Sequence, residues 1–263
     1  MHVERIWPDT ELRNYHYLVV CEESGEALAV DPWNAELMLD TARRHGWSVT
    51  QIFNTHHHPD HCAGNARLRA ATGARVLAHA GAAALIGDVD TGLAGGEVIR
   101  VGRSIELECL DTPGHTLSHI CLFAHAAQPA LFSGDTLFNA GVGNCLNGGD
   151  PVLLYETFAN RVTRLPEATR IYPGHEYLVN NLNFTLAREP GNAAALQMKN
   201  QLAGTAPPAM PVTTLAEERR FNTFLRLDSA EVIDGLRREF PQLPRQPAPR
   251  EVFVRLRELR NSW

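Results

Sequence analysis

One seven-residue stretch constrains this chain more than any other: Thr55-His56-His57-His58-Pro59-Asp60-His61. It follows Val49-Thr50-Gln51-Ile52-Phe53, an apolar, β-branched run that reads as a short buried strand. If the segment stays extended, His56, His58 and Asp60 point to one side, and His61 turns in as a helix begins. Imidazole and carboxylate together form the donor set of zinc, iron or manganese at hydrolytic sites. A single His-x-His pair is common on protein surfaces, whereas His-x-His-x-Asp-His at the end of a buried strand is a specific signal. The fold must therefore close a metal pocket around that strand end, with further donors delivered from elsewhere.

Three residues suit that task. His115 follows Pro113-Gly114, Asp135 follows Gly134, and His175 follows Pro173-Gly174, each after an apolar run, and glycine lets the backbone turn sharply at such points. Taken singly, Asp135 reads as a cap and His115 as a partly buried histidine. Taken with His56, His58, Asp60 and His61 they make a set large enough for two metal ions sharing one carboxylate. In such a site a water is deprotonated near neutral pH and attacks a carbonyl that metal polarises. His57 faces the other way in an extended run and reads as structural, as does His119, while Cys62 reads as a small packing residue.

The rest of the chain reads as an α/β domain followed by helices. Strands are expected through the first 30 residues, with a hairpin at Ser24-Gly25 that sets Tyr15, Tyr17 and Val19 on one face. Helices are expected over 35–45, starting near Asn34, over 63–72 and around 80–86, with a strand at Arg75-Val76-Leu77-Ala78 between the last two. Strands dominate from 97 to 135, so sheets lie inside and helices outside. Beyond His175 the pattern is helical over 178–205, broken at Pro190-Gly191, then near 214–226, 229–239 and 249–260. The division expected is a domain over 1–175 and a smaller all-helical one over 176–263.

Composition narrows the partners. A net charge of −6 argues against a general nucleic-acid surface. No run reaches the roughly 18 apolar residues of a membrane span, and Met1-His2-Val3-Glu4-Arg5 leads into no signal-peptide core. Five scattered cysteines suggest a reducing cytoplasm rather than a disulfide framework. Lys199 is the only lysine, so an anion site must be built from arginine or backbone, and the tail from Leu236 onward carries seven arginines: 237, 238, 245, 250, 255, 257 and 260. The sequence leaves the oligomeric state open, with a monomer as the simplest form.

Thr55-His56-His57-His58-Pro59-Asp60-His61 resembles the Thr-His-x-His-x-Asp-His signature of the metallo-β-lactamase superfamily. Pro113-Gly114-His115-Thr116, Ser133-Gly134-Asp135-Thr136 and Pro173-Gly174-His175-Glu176-Tyr177 resemble its later ligand motifs. The resemblance implies a four-layer αβ/βα sandwich, one metal on His56, His58 and His115, a second on Asp60, His61 and His175, and Asp135 bridging. Within the superfamily the chain is most similar to the glyoxalase II, or hydroxyacylglutathione hydrolase, family. Asn180-Asn181-Leu182-Asn183-Phe184, Glu189-Pro190-Gly191-Asn192, Thr214-Leu215-Ala216-Glu217-Glu218 and Asn222-x-Phe224-Leu225-Arg226 carry that similarity through the C-terminal helices.

That family hydrolyses S-D-lactoylglutathione to D-lactate and glutathione, so the resemblance implies a binuclear thioesterase whose metal-bridging hydroxide attacks the thioester. Two divalent ions are implied, zinc first and iron or manganese as alternatives. The roles implied are Asp60 and Asp135 in catalysis, with Tyr177, Arg257 and Arg260 on glutathione, the two arginines one helical turn apart and facing one carboxylate. In the Gly141-Val142-Gly143-Asn144-Cys145-Leu146 loop, Asn144 and Leu146 stand where the family has a basic residue and an aromatic. A charge and a phenolic hydroxyl are thus missing, at about 0.5–1.5 kcal/mol per lost contact unless Asn144 compensates. That loop keeps an alternative open: the same fold acting on another thioester, a lactone or a β-lactam. A one-iron persulfide dioxygenase and a non-catalytic binding module are the remaining readings.

Overall fold

The computed structural model describes residues 1–263. In chain order its strands and helices are β1 (His2–Ile6), β2 (His16–Val20), β3 (Glu26–Val30), α1 (Ala35–His45), β4 (Ser48–Asn54), α2 (Pro59–Cys62), α3 (Asn65–Thr72), β5 (Arg75–His79), α4 (Ala83–Ile86), β6 (Thr91–Leu93), β7 (Val98–Val101), β8 (Ile105–Asp111), β9 (Ile120–Ala124) and β10 (Ala130–Gly134). There follow β11 (Leu137–Phe138), β12 (Gly141–Val142), α5 (Pro151–Asn160) and β13 (Arg170–Pro173), and then only helices: α6 (Leu178–Arg188), α7 (Ala193–Gln201), α8 (Leu215–Phe221), α9 (Ala230–Glu239) and α10 (Pro249–Asn261). No helix is long and apolar enough to cross a membrane.

Two sheets form the centre. The first runs in sequence order from β1 to β6, antiparallel through β3 and parallel from β3 to β6; the second has the order β13-β10-β9-β8-β7. Their inner faces meet through Tyr17, Val19, Leu28, Val30 and Phe53 on one side and Leu107, Leu122, Phe132 and Tyr172 on the other. The odd and even residues of β2 and β3 serve different layers. Leu18, Val20, Ala27 and Ala29 turn outward against Met38 and Leu39 of α1 and Leu68 of α3. On the second sheet Leu110, Cys121, Phe123, Leu131 and Ile171 turn outward against α5 and the C-terminal helices. Strands covered on both faces read as continuous apolar runs, as β2 and β9 do, and the outcome is the expected four-layer αβ/βα sandwich.

Chain direction sets the site. β3 and β4 are parallel, as are β10 and β13, so their C-terminal ends share one edge of the sandwich. β8 runs the same way as β10, both being antiparallel to β9, and it ends at that edge too.

Most expected elements are present with small shifts. α1 starts where Asn34 accepts from the Leu37 amide (3.0 Å) and ends at Gly46, whose φ of 71° suits glycine. The helix expected over 63–72 starts two residues later, as α3, and a separate short helix, α2, already begins at Pro59 inside the histidine stretch. Asp60 therefore sits in a helical turn rather than on an extended run. α5 was not foreseen, since Val152 and Leu153 stay exposed and the apolar residues do not keep to one helical face. β6, three residues with a central glycine, also lacks a readable pattern. The break at Pro190-Gly191 is held by Glu189, which takes a two-point hydrogen bond from Arg226 (2.8 and 2.7 Å) and others from Ser229 and Asn192.

Candidate active site

The seven donors singled out in the sequence converge where the strands end. His56 and His58 follow β4, Asp60 and His61 lie in α2, His115 follows β8, Asp135 follows β10 and His175 follows β13. They form overlapping groups, His56–His58–His115, His56–His61–Asp135 and Asp60–His61–His175, with donor atoms within 4.8 Å of one another in each.

Every imidazole in the set is oriented by an oxygen at its outer nitrogen. His115 Nδ1 lies 2.6 Å from the Asn144 carbonyl, His58 Nε2 3.1 Å from the Asn147 carbonyl, and His175 Nδ1 2.7 Å from the Leu12 carbonyl. His61 Nδ1 lies 3.0 Å from Asp31 Oδ2. Thr55 Oγ1 donates to Asp31 (2.7 Å) and so accepts from His56 Nδ1 (3.0 Å). A carbonyl or carboxylate can only accept, so each outer nitrogen carries the proton and each inner one presents a lone pair. Those lone pairs face each other: His56 Nε2 and His115 Nε2 are each 3.0 Å from His58 Nδ1, and His61 Nε2 is 3.2 Å from His175 Nε2. Acceptors turned on acceptors at such range call for a cation between them.

Asp135 stands between the groups. Its Oδ1 is 3.4 Å from His61 Nε2; its Oδ2 is 3.3 Å from His175 Nε2 and 3.6 Å from His115 Nε2. Oδ1 is buried and has no hydrogen-bond partner, an orphan of the kind a metal satisfies. Burial pushes the Asp135 carboxyl up, but His175, His61 and His115 overcome it and hold the group far below the usual carboxylate range. Burial likewise opposes a charge on His61, yet Asp135 and Asp31 lift it well above the usual histidine value. That lift and the lone-pair assignment at Nε2 describe one field: the carboxylates draw in positive charge, as a proton on His61 or, with metal bound, as the ion. Burial keeps His56 well below the usual value and brings His115 down to about 4, so both are neutral ligands at pH 7.

Sequence reasoning missed two supports. Asp31, directly after β3, accepts from the Thr55 amide (2.8 Å), the Thr55 hydroxyl and His61, and so fixes both ends of the histidine stretch. Asn14 gives its amide to Asp60 Oδ2 (3.0 Å) and to the Asp60 carbonyl (3.2 Å). His119 has the supporting place expected of it: its Nε2 accepts from the Asp135 amide (3.2 Å). The glycines act in two ways. Gly134 has the positive φ, 46°, that favours glycine. Gly174 is required for space instead, because a Cβ there would collide with Asp135 Oδ1.

The residues assigned to substrate separate. Tyr177 stacks on His175 at 5.1 Å, with its hydroxyl donating to the Leu12 carbonyl (3.0 Å). Arg257, only 4% exposed, gives Nη1 to the carbonyls of Val142 (2.9 Å) and Gly143 (3.0 Å). Arg260 donates to Asn181 Oδ1 (3.2 Å) and is half-buried. Arg257 Nη1 is thus engaged with backbone and its Nε with Asn261 Oδ1 (3.2 Å), and Arg260 is the more exposed of the two. The Asn144 side chain accepts from the Leu146 amide (3.1 Å), while Leu146 itself is 67% exposed at the rim.

Comparison with known proteins agrees with this geometry. The profile of the metallo-beta-lactamase superfamily matches residues 21–175, and that of the hydroxyacylglutathione hydrolase C-terminus matches residues 176–263. Two relatives named hydroxyacylglutathione hydrolase, from Polaromonas sp. (strain JS666) and Nitrosococcus oceani, are 57% and 53% identical over 100% of both chains. The crystal structure of ETHE1 from Myxococcus xanthus superposes with a TM-score of 0.69 at 27% identity, over 93% of each chain. The fold class and its two divalent metal ions follow from the superfamily together with the His/Asp clusters. The chain belongs to the hydroxyacylglutathione hydrolase family of the metallo-β-lactamase superfamily.

Proposed function

We propose that this thioester hydrolase cleaves S-D-lactoylglutathione, and related 2-hydroxyacylglutathiones, to the hydroxy acid and glutathione. The observation that carries the reading is Asp135, with carboxylate oxygens directed at both histidine groups. His56, His58 and His115 would hold one divalent ion, and Asp60, His61 and His175 the other, with Asp135 shared. Zinc is the first choice for this nitrogen and oxygen donor set, and iron and manganese also fit it. When bound, such a pair supplies an activated water near neutral pH and polarises the substrate carbonyl.

The chain's own residues do the rest. Asp60, pinned by Asn14, orients the attacking water. Burial opposes its charge, but neighbouring His61 and the hydrogen bond from Asn14 keep its carboxyl below the usual range, so it remains an acceptor through the reaction. Tyr177 and Arg260 hold the glutathione moiety, with Arg257 behind them and the free amide nitrogen of Asn144 at the edge. A thiolate leaves without needing a strong acid.

Residues 1–175 then form the catalytic domain and residues 176–263 a helical domain that contributes to substrate binding. All donors come from one chain, so a monomer suffices. Its five cysteines are unpaired, as suits a reducing cytoplasm. The hydroxyacylglutathione hydrolase name on full-length relatives does not favour the alternative of a lactone or β-lactam substrate.

Turnover of S-D-lactoylglutathione, a lactone and a chromogenic β-lactam by protein of measured metal content tests this. We expect two ions per chain and turnover of the glutathione thioester alone; metal-loaded protein inert toward that thioester would overturn the reading.

A further inference from the structure

The hairpin β11–β12, residues 137–142, carries an unusual set of hydrogen bonds. Its backbone is held by side chains from the C-terminal helices, residue after residue. Asn181 of α6 donates to the Asn139 carbonyl (2.9 Å). Glu218 of α8 accepts from the Ala140 amide (2.8 Å). Asn222, which caps α8, donates to the Gly141 carbonyl (3.2 Å) and to Glu218 itself (2.9 Å). Arg257 of α10 donates to the Val142 and Gly143 carbonyls. All four side chains are buried, and Ala140 is kept at a φ of 57°, a conformation that needs such support.

The same hairpin touches both metal-ligand groups. The Phe138 ring packs edge-on against His175 (5.8 Å) and Tyr177 (5.3 Å). Gly143 lies so close to the Asp135 carbonyl that a Cβ would collide with it, and the same Cβ would stand 3.1 Å from His115 Nδ1. One residue on, the Asn144 carbonyl fixes the proton of His115. Arg257 and Asn222 hydrogen-bond no metal-ligand side chain themselves: Arg257 gives Nη1 to the strut and Nε to Asn261 Oδ1 (3.2 Å), and Asn222 gives its amide to the strut and to Glu218.

We propose that Asn181, Glu218, Asn222 and Arg257 are positioning residues for the metal centre, holding the 137–144 strut whose Asn144 carbonyl and Phe138 ring orient His115 and His175. The helical region is thereby part of the metal site's support as well as a substrate platform. This rests on the metal-ligand assignment above but not on the identity of the substrate. It also gives Arg257 a role beside the glutathione contact that the family resemblance implies.

The test compares Arg257→Met, Arg257→Lys and Asn222→Ala with the parent chain, all first checked for folding by circular dichroism. Metal affinity is read by zinc competition against a chelator, ligand geometry by the visible spectrum of the cobalt-substituted protein, and kcat and KM with S-D-lactoylglutathione. Outer partners of metal ligands set affinity at about 10- to 100-fold. We expect Arg257→Met and Asn222→Ala to lower zinc affinity by at least about 10-fold, shift the cobalt spectrum and lower kcat with KM changed little. Arg257→Lys, which can still donate to both carbonyls, should recover most of each. Should Arg257→Met fail to fold, Asn222→Ala carries the test alone. Folded variants with parental zinc affinity and cobalt spectrum overturn the proposal, and a rise in KM alone marks Arg257 as a substrate contact. Zinc affinity and the cobalt spectrum need no substrate, so an enzyme inactive on the thioester but altered in both would refute the substrate reading while leaving the strut standing.

Discussion

Asp31 makes three hydrogen bonds, and each has a different consequence. Through the Thr55 amide it ends β4 at a fixed point, through the Thr55 hydroxyl it sets the proton on His56, and through Oδ2 it sets the proton on His61. Asn at this position offers only one acceptor oxygen for three donors and turns an amide N–H toward one of them. We expect Asp31→Asn to lower zinc affinity by about 10- to 100-fold, with a proportionate fall in activity at limiting metal. A competition titration with a chromogenic chelator measures it, and parental affinity would remove Asp31 from the site. The position was readable: Val30-Asp31-Pro32 puts a carboxylate straight after an apolar strand, as Gly134-Asp135 does. Arg257 shows the opposite limit, since a spacing of three residues places two arginines on one helix face without saying what covers that face.

At the scale of elements, local chemistry fixed starts and stops, and long-range packing fixed the exceptions. α8 opens with a reciprocal cap: the Glu217 amide donates to Thr214 Oγ1 (3.3 Å), and the Thr214 amide donates to Glu217 Oε2 (2.7 Å). Thr214→Ala removes one half of that cap and should cost about 1 kcal/mol, measured as a shift in the urea midpoint at constant slope. Since α8 also carries Glu218, the same variant should loosen the 137–144 strut. The α2–α3 break illustrates the exceptions. Gly64, between α2 and α3, must be glycine because the Pro32 and Trp33 carbonyls occupy the space where a Cβ would lie. Nothing local to residues 59–72 announces those carbonyls.

For the whole molecule, the packing of the helical region on the sandwich buries one carboxyl with a cost that depends on pH. Burial pushes Glu218 up to about 7 from its ordinary 4.5, against hydrogen bonds from Thr213, Asn222 and the Ala140 amide. A carboxyl raised in the folded state contributes stability that is fully present below its unfolded pKa and lost as pH rises through the folded one. Asp60, Asp135 and Glu189 are lowered instead, so their contributions run the other way and are lost at lower pH. The comparison with Glu218→Gln isolates the first effect. Relative to that variant, the parent chain should lose on the order of 3 kcal/mol between about pH 5 and about pH 8, read from denaturant melts. A difference independent of pH would mean that Glu218 does not change its proton across that range.

The seven metal-ligand candidates, the sandwich and the helical tail were all legible in the sequence because each depends on short-range chemistry. A histidine run after a strand, glycines before donors, apolar alternation and Pro-Gly breaks act within a few residues of where they stand. The partners of those residues were not legible. Asp31 meets His61, Asn14 meets Asp60, and Arg257 meets Val142 and Gly143 across separations of 30, 46, 115 and 114 residues. Such pairings arise only when strand directions and helix packing bring distant backbone together, and buried polar groups must then find whatever complementary atom lies at hand. Sequence pattern sufficed to place His56, His58, Asp60 and His61, a donor set suited to metal, just past a strand end. Which carbonyls aim those side chains, and that Arg257 meets the Val142 and Gly143 carbonyls, depended on how the layers pack.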